Sequence, residues 1–323
     1  MHEARGTIRD RLLRQGYMLV GKDTSVKLCH WVREALFYHR ACYKQQFYGI
    51  KSHRCIQMTP VTKYCTENCR FCWRIHDYDD IRGLREYISQ IKRQSGFTEE
   101  QKKNADMPEQ LLQNIIEAQR KLVSGFKGDS RCDLRMWNES REPNQIAISL
   151  NGEPTLYPFL GEFIAHAKSK GFTTFLVSNG TIPETLRNLN SLPTQLYITV
   201  AAPNEEIFNK LVIPLIPDAW QRLLETLKYL NSITTKTVIR HTLVESWNMC
   251  NEEEYAKLDM LAEPTYIECK AYMFVGESRK RLDISCMPSH ERVREFAENL
   301  AALTGYKIVN ENRDSRVVLL SRG

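Results

Sequence analysis

The chain has 323 residues and a formal net charge of +6, and this length suits one α/β barrel with extensions. Its longest apolar runs, such as Gln145–Leu150, are far too short to cross a bilayer. Met1–Arg5 carries charges and begins no apolar stretch of the signal-peptide kind, so we expect a cytoplasmic protein. The moderate positive charge permits an anionic partner such as RNA without requiring one.

The first third of the chain is predicted to be mostly helical. Residues 6–49 contain few helix breakers, and residues 79–128 are polar and helix-prone, with Pro108 as a helix start. Between these segments, Cys55–Val61 has the pattern of a short strand, and a cysteine-rich loop follows it over residues 62–74.

From residue 145 onward, strand-like runs alternate with helical stretches. The later predicted strands are Gln145–Leu150, Thr173–Ser178, Gln195–Val200, Lys236–Leu243 and Tyr266–Phe274. The predicted helices lie near 158–170, 182–188, 203–230 and 251–262. Such alternation indicates parallel βαβ units with right-handed crossovers. Counting the first strand, six strands predict an α/β fold with a partial (β/α)6 barrel over residues 55–323, a C-terminal hairpin at Tyr306–Ser321 and a helical extension over residues 1–54.

The cysteines are concentrated in one part of the chain. Six of the ten lie between Cys29 and Cys72. In a reducing cytosol, clustered cysteines are more often metal ligands or catalytic groups than disulfide partners. The cysteines that show no ligand spacing, and that we interpret as structural, are Cys132, Cys250, Cys269 and Cys286.

Cys65, Cys69 and Cys72 have the spacing CxxxCxxC directly after the first predicted strand, the end of a barrel strand at which α/β barrels place their active sites. Three thiolates on a four-iron cluster leave one iron open. That iron can bind the amine and carboxylate of S-adenosylmethionine, and one electron from the cluster then releases a 5′-deoxyadenosyl radical. The alternative is a zinc loop, but zinc sites usually have four protein ligands. Phe71 is predicted to pack against the adenine of the cofactor.

Two turns after later strands carry groups that suit the same cofactor. Gly152 and Glu153 follow the second barrel strand; the glycine allows a close backbone approach, and the carboxylate can receive the methionine ammonium. Ser178 and Asn179 end the third strand and offer a hydroxyl and an amide to the ribose. Each pair alone is typical of an ordinary turn, but their position in series after CxxxCxxC favours cofactor binding.

A second set of cysteines, Cys29, Cys42 and Cys55, precedes the motif at equal spacings of 13 residues. Three unrelated buried cysteines are the simpler alternative, because free cysteine behaves as a small apolar residue. Their neighbours argue against that, since most are polar or basic. These neighbours are His30, Trp31, Tyr43, Lys44, Lys51, His53 and Arg54. We therefore predict a second [4Fe–4S] cluster, again with an open iron.

Over nearly its whole length the chain resembles the archaeal tRNA 4-demethylwyosine synthases of the wybutosine pathway. The resemblance rests on the two cysteine sets and on several longer blocks. These blocks are Cys72–Arg74, Ala147–Leu156, Gln195–Asn204, Thr242–Met249, Glu268–Gly276 and Ser278–Arg279. The CxxxCxxC spacing identifies only the radical S-adenosylmethionine superfamily, whereas the upstream cysteines and the later blocks are more specific.

This resemblance implies a reaction of the carbon–carbon lyase class at a tRNA base. N1-methylguanosine of phenylalanine tRNA condenses with two carbons of pyruvate to give the tricyclic base 4-demethylwyosine. The radical takes a hydrogen from the N-methyl group, and the carbon radical attacks pyruvate, which loses its carboxyl carbon. Ring closure needs an amine or imine exchange, for which Lys44 is the candidate. The resemblance leaves pyruvate held at the second cluster, at Lys44 or at both.

The resemblance also implies partners. Eukaryotic relatives carry an N-terminal flavin domain that this sequence does not include, so we expect an external one-electron reductant; we also expect a monomer. Basic residues before the second barrel strand offer phosphate contacts, although a solvated charged face is the commoner role. They are Lys121, Lys127, Arg131, Arg135 and Arg141, and Arg279–Arg281 form another basic group. Because the methylated base must leave its stack, a pocket for a flipped base is expected.

Two other functions fit parts of the pattern. A radical enzyme acting on a small molecule, such as a molybdopterin-pathway cyclase, tends to place its extra cluster toward the C terminus, where the cysteines of this chain are irregularly spaced. A non-catalytic RNA-binding module with a structural iron–sulfur or zinc site needs no open cluster position. The metal content distinguishes the two-cluster enzyme from the binding module, because two clusters contain about eight irons and the module contains about one zinc.

Overall fold

The computed structural model describes residues 7–75 and 81–322. The segment Met1–Arg5, from which we expect no signal peptide, lies outside the described residues. The chain divides into two compact units. The first contains the described residues of Met1–Cys65, Ile75–Leu176 and Leu189–Pro193, and the second contains those of Thr66–Arg74, Val177–Asn188 and Thr194–Gly323.

The first unit contains a mixed sheet and its helices. Its strands are β1 (Tyr17–Val20), β2 (Thr24–Lys27), β3 (Cys55–Thr59), β4 (Gln145–Ile148) and β5 (Thr173–Ser178), the last two residues of which belong to the second unit. Its helices are α1 (Ile8–Arg14), α2 (His30–Tyr38), α3 (Tyr43–Tyr48), α4 (Ile81–Gln94), α5 (Glu99–Lys103), α6 (Pro108–Ser124), α7 (Leu134–Ser140) and α8 (Leu160–Ser169). β1, β2 and β3 pair antiparallel, and β3, β4 and β5 pair parallel.

The prediction of helix over residues 6–49 is wrong where β1 and β2 form a hairpin. The carboxylate of Asp106 accepts hydrogen bonds from the Lys22 backbone N–H at 2.9 and 3.0 Å and from the Thr24 hydroxyl at 2.9 Å. Strands of four residues carry too little alternation to be told from helix by pattern. The contact that holds the turn comes from a residue more than 80 positions away, so the local sequence does not predict it.

Helix α6 begins at Pro108, as predicted, because proline needs no hydrogen bond at the first helical position. Its buried residues recur at helical spacing, as in Leu111, Ile115 and Ala118, which is the pattern of a helix with one apolar face. That face packs on β1, β2, β3 and α8. It therefore supports the strand from which the cysteine motif follows.

The second unit continues the alternation of strand and helix. Its elements are α9 (Pro183–Arg187), β6 (Gln195–Thr199), α10 (Glu205–Leu211), α11 (Ala219–Leu230), β7 (Lys236–Leu243), α12 (Glu252–Ala262), β8 (Tyr266–Ala271), α13 (His290–Thr304), β9 (Lys307–Asn312) and β10 (Val317–Ser321). β6, β7 and β8 pair parallel, and β10 lies antiparallel between β8 and β9. The predicted C-terminal hairpin is therefore present and extends the sheet beyond β8.

The helix predicted over residues 203–230 is two helices, α10 and α11. Pro214 and Pro217 lie between them and cannot donate backbone hydrogen bonds. Asp218 then adopts a left-handed conformation with φ +57° directly before α11. Among residues 7–75 and 81–322, no helix combines the length and the apolar character needed to cross a membrane.

Candidate active site

The second cysteine set comes together around Lys44 within the first unit. Cys29 directly precedes α2, Cys42 directly precedes α3, and Cys55 is the first residue of β3. Burial raises the pKa of the Cys55 thiol well above its usual value, and the charges of Cys29 and Cys42 raise it further. The Lys44 ammonium lowers it. The Cys55 thiol is therefore close enough to Cys29, Cys42 and Lys44 for their charges to act on it, which brings these side chains into one region of the first unit.

Backbone donors at this site favour the thiolate form of the cysteines. Burial raises the pKa of Cys29, whereas the N–H groups of Trp31 and Val32 and the Lys44 ammonium lower it. The N–H of Ala147 likewise lowers the pKa of Cys55. Because the thiolate is the form that binds a metal, the donors and the lysine charge stabilise the state that ligation requires.

Lys44 lies over an aromatic ring. Its Nζ is 4.7 Å from the centroid of the buried Phe175 ring on β5, an arrangement that attracts a cation to the ring face. Tyr48 packs edge-on against the same ring with centroids 6.0 Å apart. The lysine is half-buried, so its amine is presented from a restricted set of rotamers beside the thiols.

Gly152 brings the turn after β4 against the loop that leads to Cys65. Its φ is +64°, and a Cβ added there would lie 2.1 Å from the carbonyl oxygen of Val61 and 2.6 Å from that of Tyr64. The Glu153 N–H donates to the same Tyr64 carbonyl at 2.8 Å. The close approach expected at Gly152 is therefore made to the protein's own loop.

Replacing Gly152 with alanine is expected to lower the free energy of unfolding by about 2–5 kcal/mol. Positive φ costs an L-residue about 1–2 kcal/mol, and overpacking against two carbonyl oxygens adds about 1–3 kcal/mol. Gly171→Ala is the matched control, because Gly171 has φ +81° and nothing within 4 Å of its Cβ position. Denaturant unfolding of both variants measures the difference. Equal losses would show that the carbonyl contacts do not matter.

Two buried side chains of this turn have polar groups beside the loop. Glu153 is 2% exposed, and its Oε1 accepts from the N–H and hydroxyl of Thr155 at 3.1 and 2.7 Å. Asn151 is 1% exposed, and its Nδ2 donates to the carbonyls of Thr62 and Ile75 at 3.1 and 2.6 Å. The Asn151 Oδ1 has no hydrogen-bond partner among the described residues. A buried acceptor of this kind suits an ammonium group.

In the second unit, the loop residues Thr66–Arg74 are tied to the segment after α10. The N–H of Asn68 donates to the carbonyl of Ile213 at 3.0 Å, and the N–H of Arg70 donates to that of Leu211 at 2.9 Å. Cys69 and Cys72 are buried, at 8% and 9% exposure. The loop therefore has a set backbone path on which its thiols are directed inward.

Asn179, predicted with Ser178 to contact the ribose, holds the same loop. Asn179 Nδ2 donates to the Thr66 hydroxyl at 2.7 Å, and its Oδ1 accepts from the N–H and hydroxyl of Thr181 at 3.1 and 2.8 Å. The Ser178 hydroxyl accepts from the Gly180 N–H at 3.0 Å. Their contact with a cofactor stays a prediction. The observed role of Asn179 is to join the end of β5 to the loop that follows Cys65, and that of Ser178 is to close the turn at Gly180.

Arg281 is a site residue that sequence reasoning missed. Its guanidinium donates to the carbonyl of Arg70 at 3.1 Å and to the carbonyl of Cys72. The sequence placed it in a basic group with phosphate contact as one possible role, and no spacing signals a contact across more than 200 residues. Phe71 packs against the apolar cluster of this unit formed by Leu211, Val244, Tyr272 and Leu282.

No three Cys, His, Asp or Glu side chains within the described parts of the chain are close enough to hold a single metal ion. A four-iron cluster is a larger body, and each thiolate binds a different iron, so its ligands lie farther apart than those of one ion. The cysteine thiols are donors of the kind that bind such a cluster. Three thiols and a nearby lysine occupy the first unit, and two buried thiols occupy the loop of the second.

Two family models match the chain. The model of the Radical SAM superfamily matches residues 59–258, and the model described as Wyosine base formation matches residues 261–322. The chain is therefore a radical S-adenosylmethionine protein, with the predicted partial barrel of parallel strands, a [4Fe–4S] cluster and S-adenosylmethionine as its cofactors. It belongs to the family of S-adenosyl-L-methionine-dependent tRNA 4-demethylwyosine synthases.

That membership rests on similarity over nearly the whole chain. The synthase of Pyrococcus abyssi is 47% identical over 96% of this chain and 86% of that relative. The human synthase is 35% identical over 97% of this chain but only 41% of its own length. A solved structure of TYW1 with a lysine–pyruvate adduct bound has a TM-score of 0.83 and 34% identity, covering 98% of this chain and 95% of that one. The family is one of enzymes, which excludes the non-catalytic RNA-binding module.

Proposed function

We propose that the chain condenses N1-methylguanosine of phenylalanine tRNA with two carbons of pyruvate to form 4-demethylwyosine. The observation that carries the proposal is the seating of Lys44 over Phe175, beside the thiols of Cys29 and Cys55. The similar TYW1 structure contains a lysine–pyruvate adduct. We assign Lys44 as the residue that forms this adduct in the present chain.

Cys65, Cys69 and Cys72 are assigned as ligands of the radical cluster. A [4Fe–4S] cluster held there with S-adenosylmethionine would supply a 5′-deoxyadenosyl radical able to take a hydrogen from the methyl group of the target base. Asn151 Oδ1 and the Glu153 carboxylate accept from the methionine ammonium. Phe71, Ser178 and Asn179 belong to the adenosine side of the same site, with Asn179 acting partly through the loop that it holds.

Lys44 acts on pyruvate as a nucleophile. After giving up a proton, its amine attacks the keto carbon, water leaves, and a carbon–nitrogen double bond joins the lysine to pyruvate. The methylene radical of the base then bonds to that carbon, and the bond to the carboxylate breaks, so that the carboxyl carbon leaves with the unpaired electron and the carbon–nitrogen double bond is restored. The exocyclic amine of the guanine then replaces the lysine nitrogen at the same carbon. This exchange closes the third ring and returns Lys44 to its starting state.

Cys29, Cys42 and Cys55 are assigned as ligands of a second [4Fe–4S] cluster, whose open iron would bind the carboxylate and keto oxygens of pyruvate. The cluster would hold the acceptor molecule while Lys44 activates its keto carbon, so the two roles are compatible. An external one-electron reductant supplies the electron for the radical step. We further propose that the chain acts as a monomer in the cytoplasm.

The proposal is tested by an anaerobic assay with tRNA that carries N1-methylguanosine, together with pyruvate, S-adenosylmethionine and a chemical reductant. We expect nucleoside mass spectrometry to find the tricyclic base, and the reconstituted protein to hold about eight irons per chain. Formation of 5′-deoxyadenosine with unchanged tRNA would favour a radical enzyme acting on a small molecule. An iron content of about four per chain would exclude the second cluster.

A further inference from the structure

The net positive charge of the chain equals the excess found in two segments of the first unit. Residues 28–54 and 120–142 together contain eleven Lys and Arg against five Asp and Glu. Their excess of six equals the net charge of the whole chain, because the remaining residues contain 34 of each sign. An anionic macromolecule would therefore be attracted to these segments in preference to the rest of the protein.

The fold joins the two segments into one surface. Phe37 on α2 meets Phe126 in the turn after α6, with ring centroids 5.1 Å apart. The indole N–H of Trp137 on α7 donates to the Val123 carbonyl at 2.9 Å. Cys29 packs against the same apolar cluster that contains Val123 and Trp137. The surface is thus continuous with the cysteine and lysine site.

Some cations of this surface are already neutralised and others are not. Arg131 pairs with Asp129 at 2.6 Å, and Lys51 and Arg135 share Glu139. By contrast, a second group makes no ion pair with a carboxylate among the described residues. This group, here called the unpaired cations, consists of Arg33, Lys121, Lys127 and Arg141. All four are exposed, so they are available to anions from outside.

Aromatic rings hold three of the unpaired cations in place. The Arg33 guanidinium lies 5.7 Å from the centroid of the Phe37 ring. Lys127 Nζ and the Arg141 guanidinium lie 5.5 and 5.1 Å from that of Trp137. A cation that rests on a ring has fewer conformations to lose when it binds, and a guanidinium fork matches the geometry of a phosphate.

We propose that the unpaired cations dock the phosphate backbone of the tRNA substrate. The inference rests on the proposed function, which supplies an RNA partner, and it names the surface that holds that partner. Docking here places the bound strand beside Cys29 and hence beside the site of Lys44. It also distinguishes Arg33, Lys127 and Arg141 from Arg131 and Arg135, which form surface ion pairs with Asp129 and Glu139.

The test compares two triple variants. Arg33→Gln, Lys127→Gln and Arg141→Gln remove three unpaired cations. Lys170→Gln, Lys228→Gln and Lys257→Gln remove three exposed lysines outside the surface and serve as the matched control. We measure the Kd for methylated tRNA over a series of salt concentrations. Each lost phosphate contact lowers the slope of log affinity against log salt by about 0.7–0.9, so we expect a slope lower by about two to three and binding roughly tenfold weaker or more.

The control should bind within about twofold of the parent, and a variant with Arg33→Lys and Arg141→Lys should keep the parent slope, since it keeps the charge. Both triple variants should cleave S-adenosylmethionine without tRNA as the parent does, which shows that the fold and radical cluster are intact. A parent-like slope and affinity in the first triple variant would overturn the proposal. The proposal would also be overturned if the first triple variant lost binding to anionic phosphatidylglycerol vesicles but kept its binding to tRNA, because the unpaired cations would then serve a membrane.

Failure of the proposed function gives a different pattern. If the parent binds tRNA in a manner that depends on the unpaired cations but forms no tricyclic base, the reaction is misassigned and the docking surface stands. If the parent forms the base and the first triple variant does so equally well at every salt concentration, the docking surface is wrong and the reaction stands.

Discussion

The Lys44→Ala variant should lose 4-demethylwyosine formation by at least about a hundredfold, while it keeps both clusters and the cleavage of S-adenosylmethionine. The reason is chemical, because alanine has no amine to join the keto carbon of pyruvate. Lys44→Arg separates charge from nucleophilicity. It keeps a cation over the Phe175 ring, yet it should lose the product as alanine does.

The adduct itself can be trapped. Borohydride added to the parent with isotopically labelled pyruvate should attach the label to the peptide that contains Lys44. Lys170→Ala, a change at an exposed lysine on the far end of α8, should leave labelling and product unchanged. Full product formation by Lys44→Ala would refute the assignment. Labelling of another peptide would move the role to a different lysine.

The second large effect is a difference between alanine variants of the two cysteine sets. Cys42→Ala should lose about half of the iron, because one of two four-iron clusters is lost, and should still form 5′-deoxyadenosine while the tricyclic base disappears. Cys72→Ala should also lose about half of the iron, but it should abolish 5′-deoxyadenosine as well. The same is expected of Cys65→Ala and Cys69→Ala, since each removes one of three ligands.

Cys250→Ala is the control for both, because Cys250 is partly exposed and belongs to neither set. It should keep iron, cofactor cleavage and product. Iron analysis, chromatography of 5′-deoxyadenosine and nucleoside mass spectrometry provide the three readouts. Full iron in Cys42→Ala, with an electron-paramagnetic-resonance spectrum that pyruvate does not change in the parent, would reduce Cys29, Cys42 and Cys55 to packing residues.

The fold could be predicted from the sequence where local pattern and tertiary structure agree. The runs Thr173–Ser178 and Lys236–Leu243 form strands with the predicted bounds, because β-branched and apolar residues in short runs favour buried parallel strands. The hairpin of β1 and β2 could not be predicted, since Asp106 holds its turn from a distant part of the chain. The break between α10 and α11 was signalled by Pro214 and Pro217 and was overlooked.

In the candidate site, too, some features could be predicted from the sequence and others could not. The candidate cysteine ligands could be proposed from the sequence through their spacing and chemistry, and Lys44 through the resemblance, and these roles stay predictions. The partners that position these groups could not be predicted. These partners make long-range contacts. Phe175 lies beneath Lys44, the Val61 carbonyl lies opposite Gly152, and Arg281 donates a hydrogen bond to the loop at Arg70. No local pattern records which residues meet when strands far apart in sequence pair.

Strand β3 connects the second cysteine set to the loop that begins the first set, and its length is fixed within the first unit. It begins at Cys55 of the second cysteine set, ends at Thr59 and leads within six residues to Cys65. Hydrogen bonds to β2 on one side and β4 on the other keep it extended, at about 3.3 Å per residue or roughly 13 Å in all. Under the assignments proposed above, β3 therefore fixes how far Cys55, beside Lys44, lies from the start of the loop that carries Cys65. Lengthening this strand by two residues would preserve the side-chain alternation, but it would shift the register of β3 against β2 or β4 and lengthen that separation by roughly 6–7 Å.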